Sequence, residues 1–224
     1  AAIEVGQLML NYSTIIGIVV ATFTALFLGV EYSDGGIRNK VGIGHKRVHI
    51  YLANLLLTTA TILLSYLLFM AVIAALGIPI FGGIAIPAVR LAQLLGYIFA
   101  ATIAYSAIFT FIAMTIPNKA VTAVISVILA FVMISAALTC LYIASAPEPT
   151  ESTAAVDSAD SARYPGETKR QIAQTLADIN PAGQMFQIAN QSAPRMDIFT
   201  LYSLGILIVF TGAGLIIFNK KELK

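Results

Sequence analysis

Between Glu31 and Asn54 the chain reads EYSDGGIRNKVGIGHKRVHIYLAN, a stretch holding four of its thirteen Lys/Arg (Arg38, Lys40, Lys46, Arg47) and both of its histidines, His45 and His49. Guanidinium and ammonium groups set beside the carboxylates of Glu31 and Asp34 can form charge-assisted hydrogen bonds, the stronger class of polar contact. A purely electrostatic anchor would need only Lys and Arg. Here an acid, the glycine pair Gly35-Gly36, a short helical stretch and a second basic cluster bounded by Gly44 follow in order, which suggests a shaped docking element. Ser33 or Asp34 can cap a helix beginning near Gly36. Gly42 and Gly44 interrupt it, and His45 or Lys46 starts a second helical run through Tyr51 and Asn54.

The elements that must position this segment are apolar. Hydrophobic residues make up 58% of the 224, charged residues 11%, and the mean hydropathy is +0.88, against about 25% charged residues in a soluble domain. Five runs, at about 8–30, 50–77, 92–116, 120–144 and 198–218, contain no Asp, Glu, Lys, Arg or His. About 20 residues suffice to cross a hydrocarbon layer as a helix, and in lipid each backbone amide must be paired within its own segment. The expected fold class is therefore all-α: a polytopic transmembrane helical bundle forming a single domain, 1–224, with the polar loop at 31–49. Pro79, Gly82, Gly83 and Pro87 mark a turn over 78–91. Pro117-Asn118-Lys119 makes a tight turn that pairs spans three and four as an antiparallel hairpin. The long loop 145–197 begins with a Pro/Ser/Thr/acid-rich half expected to be mobile. Its second half carries Ile172, Leu176 and Ile179 at i, i+4 and i+7, predicting an amphipathic helix over 167–179 ended by Asn180-Pro181 and folded onto the outer membrane surface.

Loop 31–49, the turn 117–119 and the tail 219–224 share one side by alternation, with eight Lys/Arg against three effective ones opposite. The positive-inside rule makes that side cytoplasmic and 145–197 extracellular. The first residue then lies outside. Because the chain begins Ala1-Ala2-Ile3-Glu4 without Met or a signal-peptide pattern, one further upstream membrane helix is expected, six spans in all; the alternative is a five-span protein with its N-terminus outside. The net charge of +2 gives no reason to expect a nucleic-acid partner. Cys140 is the single cysteine and reads as a small apolar residue.

Several chemistries are disfavoured. No HExxH, paired Asp or Ser-Lys dyad lies at membrane depth, and no GxxxxGK[ST] occurs, so the chain has no phosphate-cradling loop of its own. Spans without ionisable groups also argue against coupling to proton or sodium gradients. Gly17, Ala21, Ala25 and Gly29 form a small-residue stripe, repeated by Gly96, Ala100 and Ala104, that suits packing within the subunit or a dimer interface. Thr22, Thr24, Ser126, Ser135 and Thr139 could line a substrate path, or bond back to carbonyls of their own helices.

Glu31-Tyr32-Ser33-Asp34-Gly35-Gly36-Ile37-Arg38-Asn39-Lys40, Gly44-His45-Lys46-Arg47, Ile50-Tyr51-Leu52 and Asn180-Pro181-Ala182-Gly183-Gln184 together resemble the type-2 ABC exporter permeases. The resemblance is closest to the bacterial branch tied to bacteriocin and antibiotic export or immunity. Gly36 stands where Thr is usual, and His45-Lys46 where a small residue and Ser are common. The resemblance implies that residues 31–47 contain a coupling helix seated on a separate ATP-binding subunit, present in two copies and holding ATP and Mg²⁺. It also implies a second permease subunit, identical or homologous, and a bacterial cytoplasmic membrane location. No cofactor is expected in this chain, which would not itself be an enzyme. Competing expectations are a non-transporting scaffold or immunity protein and, less favoured, an ion-coupled carrier.

Overall fold

A computed structural model describes residues 4–146, 166–193 and 195–221. Among these the chain is helical with no strand: α1 (Val5–Asn11), a 3-10 turn (Tyr12–Ile15), α2 (Ile16–Ser33), α3 (Gly36–Gly42), α4 (Arg47–Phe81), α5 (Ala88–Thr115), α6 (Lys119–Ala144), α7 (Glu167–Ile179), α8 (Pro181–Ala189) and α9 (Asp197–Lys220). Val5–Ser33, α4, α5, α6 and α9 are each long and apolar enough to cross a membrane. The acid- and serine-rich half of the long loop lies outside the described residues.

Helix α5 forms the centre, packed by α2, α4 and α9, with α6 on the other side of α2. On its buried face Leu94, Ile98, Ala101, Tyr105 and Phe109 belong to the main apolar cluster. By contrast, α4, α6 and α9 leave much of their apolar surface open; Leu64, Leu67 and Leu68 on α4 and Ile208 and Val209 on α9 are all more than half exposed. An apolar exterior of this extent is compatible with a membrane-embedded protein, since hydrocarbon imposes no penalty on it.

The expected boundaries hold with local adjustments. The tight turn forms as anticipated, with Asn118 capping α6 by accepting from the amides of Ala120 and Val121 at 3.0 and 3.2 Å. The expected antiparallel pairing of α5 with α6 does not form, because α6 packs chiefly on α2. Helix α4 continues past residue 77 through Pro79 and stops at Gly82, whose φ of +92° is open to glycine at little cost.

The region after α6 departs furthest from the surface-lying arrangement expected of it. Arg170 Nη1 donates to the Ala146 carbonyl at the end of α6 (3.3 Å), whereas Asn180 Nδ2 reaches the Met133 carbonyl (2.8 Å). The two acceptors are thirteen positions apart, along and just past the end of α6, which is roughly 20 Å at 1.5 Å per residue. Helix α7 therefore descends alongside α6, the Asn180-Pro181 corner turns the chain at depth, and α8 returns. Asn180 Oδ1 caps α8 through the Ala182 amide (3.0 Å), with Pro181 in its first turn. The bounds of α7 match the expected 167–179, but its contact face is reversed. Ala173, Ala177 and Asp178 are buried, and Ile172, Leu176 and Ile179 face outward. Alanines allow the close approach that larger side chains would block. The nearly wholly buried α8 was expected only as connecting chain.

The corner is tight enough that a Cβ on Gly183 would overlap the Ala177 backbone carbonyl, whereas nothing lies within 4 Å of one placed on Gly96. Gly183→Ala should therefore cost about 1–3 kcal/mol, read as a lower detergent melting temperature and poorer monodispersity on size exclusion. Gly96→Ala should match the parent protein in both.

Candidate functional site

Loop 31–49, the 117–119 turn and the end of α9 converge at one end of the bundle, and most of their polar groups hold helix ends together. Beneath them lies a separate apolar cluster of Leu28, Ile37, Ile50, Tyr51, Ala113, Met114 and Phe218. Ile37 anchors the inner face of α3 in it and is 1% exposed.

Helix α3 begins at Gly36, as the sequence suggests, but neither Ser33 nor Asp34 caps it. The N-cap is Gly35 in the left-handed region at φ +72°, and the Ser33 hydroxyl donates to the Val30 carbonyl and to Asp34 Oδ1. Gly36 lies against the Glu31 carbonyl, where a Cβ would sit 3.2 Å from that oxygen. At the other end Gly44, φ +99°, closes α3. Its amide donates to the Val41 carbonyl (3.0 Å) and the His45 amide to that of Lys40 (3.1 Å), the paired bonds of a Schellman motif. Gly42 is simply the last helical residue.

Three charged residues of the loop are engaged internally. The Glu31 carboxylate accepts from Lys40 Nζ at 2.6 Å and from Asn54 Nδ2 at 3.2 Å, tying α2 to α3 and α4. Among the described residues this is the one ion pair. Arg47, at the start of α4, donates to the carbonyls of Phe218 (2.9 Å), Asn219 (3.1 Å) and Lys221, satisfying the end of α9. Lys221 in turn donates to the carbonyls of Met114 (3.1 Å) and Thr115 (3.0 Å) at the end of α5, and to Tyr32 Oη (3.2 Å). Its ammonium stands 4.5 Å from the centre of the Tyr32 ring. Burial pulls the Lys221 pKa below its ordinary value, since desolvation disfavours the charged form.

What remains turned outward is Asp34, Arg38, His45 and Lys46, with His49 beside them. Arg38, His45 and Lys46 make no side-chain hydrogen bond among the described residues. Ile43 stands at the tip, 81% exposed. The surface so formed is a mainly basic patch, with Asp34 as its one acid, around one bare aliphatic side chain. No group of three metal-ligating side chains occurs among the described residues.

The other candidate residues do not converge on a passage. Ala21 and Ala25 are fully buried, a Cβ on Gly17 would meet the Tyr105 ring at 2.7 Å, and one on Gly29 would meet Lys119 Cγ at 2.8 Å. The α2 stripe therefore serves packing against α5 and α6 within the subunit. Thr22 and Ser135 are exposed, and Thr139 is exposed and bonds back to the Ser135 carbonyl at 2.9 Å. Thr24 and Ser126 are buried with no hydrogen-bond partner.

Sequence reasoning missed Tyr32, Asn54 and Lys221. An asparagine opening an otherwise apolar run was the available signal for the second. It also missed Asp178, a carboxylate that α7 carries in between the helices although the five apolar runs read from the sequence hold no ionisable group.

Arg47→Ala should leave the last α9 carbonyls unpaired and destabilise the protein by about 1–3 kcal/mol, whereas Lys46→Ala should leave its melting temperature unchanged. Compared with known proteins, the chain matches no family model, no curated protein and no solved structure.

Proposed function

We propose that this chain is the membrane subunit of an ATP-driven exporter of the type-2 ABC class, set in a bacterial cytoplasmic membrane with its basic end and C-terminus inside. A separate ATP-binding subunit, two copies per complex, would bind ATP and Mg²⁺ and dock on α3. A second permease subunit would complete the pathway. The residues of the α3 loop that carry the family resemblance support this reading.

The observation that carries it is the division of labour at the basic end. Glu31, Lys40 and Arg47 fasten α3 and α4 to the bundle, while Arg38, Ile43, His45 and Lys46 are presented outward. An anchor for anionic lipid would need neither an internal ion pair nor glycines at both ends of a seven-residue helix. A displacement of α3 would load α2 and α4 together through the Glu31 carboxylate, which suits a coupling role. The family resemblance assigns the energy source to a separate ATP-binding chain, and the given sequence contains no GxxxxGK[ST] of its own. An antimicrobial peptide or drug is the proposed cargo.

Affinity purification of the chain in mild detergent should recover a Walker-motif ATPase. The double change Arg38→Glu with Ile43→Asp should lower ATP turnover of the complex by about tenfold or more, as loss of a buried aliphatic anchor and a charge contact does at interfaces. Its melting temperature should hold. Recovery of the permease alone with no ATP-dependent phenotype would sink the proposal and favour a scaffold or immunity protein.

A further inference from the structure

We infer that the groove between α6, α7 and α8 is a binding site for a hydrophobic ammonium compound, with Asp178 supplying the attraction. The groove encloses about 550 Å³ at the end of the bundle opposite α3. Leu138, Leu141, Tyr142 and Phe186 give it apolar walls, and Gln174 and Gln187 form part of its polar side.

Both glutamines are oriented by one carboxylate. Gln174 Nε2 and Gln187 Nε2 donate to Asp178 Oδ1 at 2.8 and 2.9 Å, and Gln174 Nε2 also approaches Gln187 Oε1 at 2.8 Å. A carboxylate only accepts, so it fixes both amides with their N–H groups turned toward it. The Gln174 carbonyl oxygen is then left without a hydrogen-bond partner among the described residues, on a side chain that lines the groove. Asp178 is 9% exposed and Gln187 1%. A negative charge therefore sits one amide layer behind the wall.

That charge has no cationic partner among the described residues; the ion pair they contain is at the opposite end. A buried carboxylate without a counter-charge is costly, and an ionisable group among apolar helices is by default a functional-site candidate. Here a neighbouring groove offers room for a ligand of opposite sign. The lining selects its chemistry. A carbonyl acceptor backed by negative charge favours a donor-bearing cation, and aliphatic and aromatic walls favour an attached hydrocarbon body. The site concerns binding and stands independently of ATP-driven export.

The test uses the full chain in phosphatidylcholine nanodiscs without ATP, titrated with dansylcadaverine, a fluorescent primary ammonium. A neutral dansyl pentylamide serves as comparator. Saturable fluorescence enhancement is expected for the ammonium and not for the neutral compound, with Asp178→Asn weakening the ammonium about tenfold, the scale of one charge-assisted contact. Leu138→Trp, which fills the groove from the α6 side, should abolish saturation. Equal binding of both probes, or unchanged binding by Asp178→Asn, overturns the inference. So does an Asp178→Asn effect confined to the melting temperature, which would make Asp178 only a hub between α7 and α8. Should Asp178→Asn not fold, unchanged binding by Leu138→Trp overturns it as well.

Discussion

Every helix ends with carbonyls that have no partner within it, and this constraint organises the basic end. There the solution is crossed: a cation at the start of α4 closes α9, and a cation just past α9 closes α5. Each bond also complements the partial negative charge at a helix C-terminus. Three helix ends are thereby held in one layer. Glu31, sharing its carboxylate between Lys40 and Asn54, brings α2 and α3 into the same layer. The outward residues can be presented in a fixed array only because these inward bonds exist.

Close approach is the second constraint. Gly17 and Gly29 let α2 lie against Tyr105 and Lys119. Gly214 makes room for the fully buried Tyr51, whose ring sits 6.3 Å from that of Phe218. The small-residue stripe on α2 thus has a local explanation at each glycine. The third-span stripe is not equivalent, since Gly96 faces open space. A shared spacing motif supplied two different environments.

The long helices were legible because twenty uncharged residues leave few alternatives, and α7 was legible from its periodicity and the Asn180-Pro181 stop. Its orientation was not. The rule that the apolar face turns inward presumes water outside; where the surroundings are hydrocarbon, large aliphatics such as Ile172 would be equally at ease on the exterior. The interior contacts then fall to alanines and to residues whose polar atoms need partners. Uncharged spans also suggested an interior free of carboxylates, and Asp178 entered by way of a segment read as a loop. The Tyr32–Lys221 contact joins residues 189 positions apart, a separation across which no local pattern carries information. In the α3 loop, residue types marked a shaped polar element, but nothing in them distinguished the charges turned inward from those turned outward.

The α7–α8 hairpin also bears on the order of assembly. Its corner bonds to Met133 of α6, and the Ser13 hydroxyl reaches the Met185 carbonyl, so elements made earlier are already waiting when it is synthesised. Gln184 differs: its amide donates to the Asp178 carbonyl, but its own oxygen accepts from Ser203 of α9. The 0%-exposed Gln184 is therefore complete only after α9 arrives. During biogenesis the hairpin can enter the bundle before α9 is made, yet α9 locks it, which makes α9 the keystone of a half of the molecule it does not itself form.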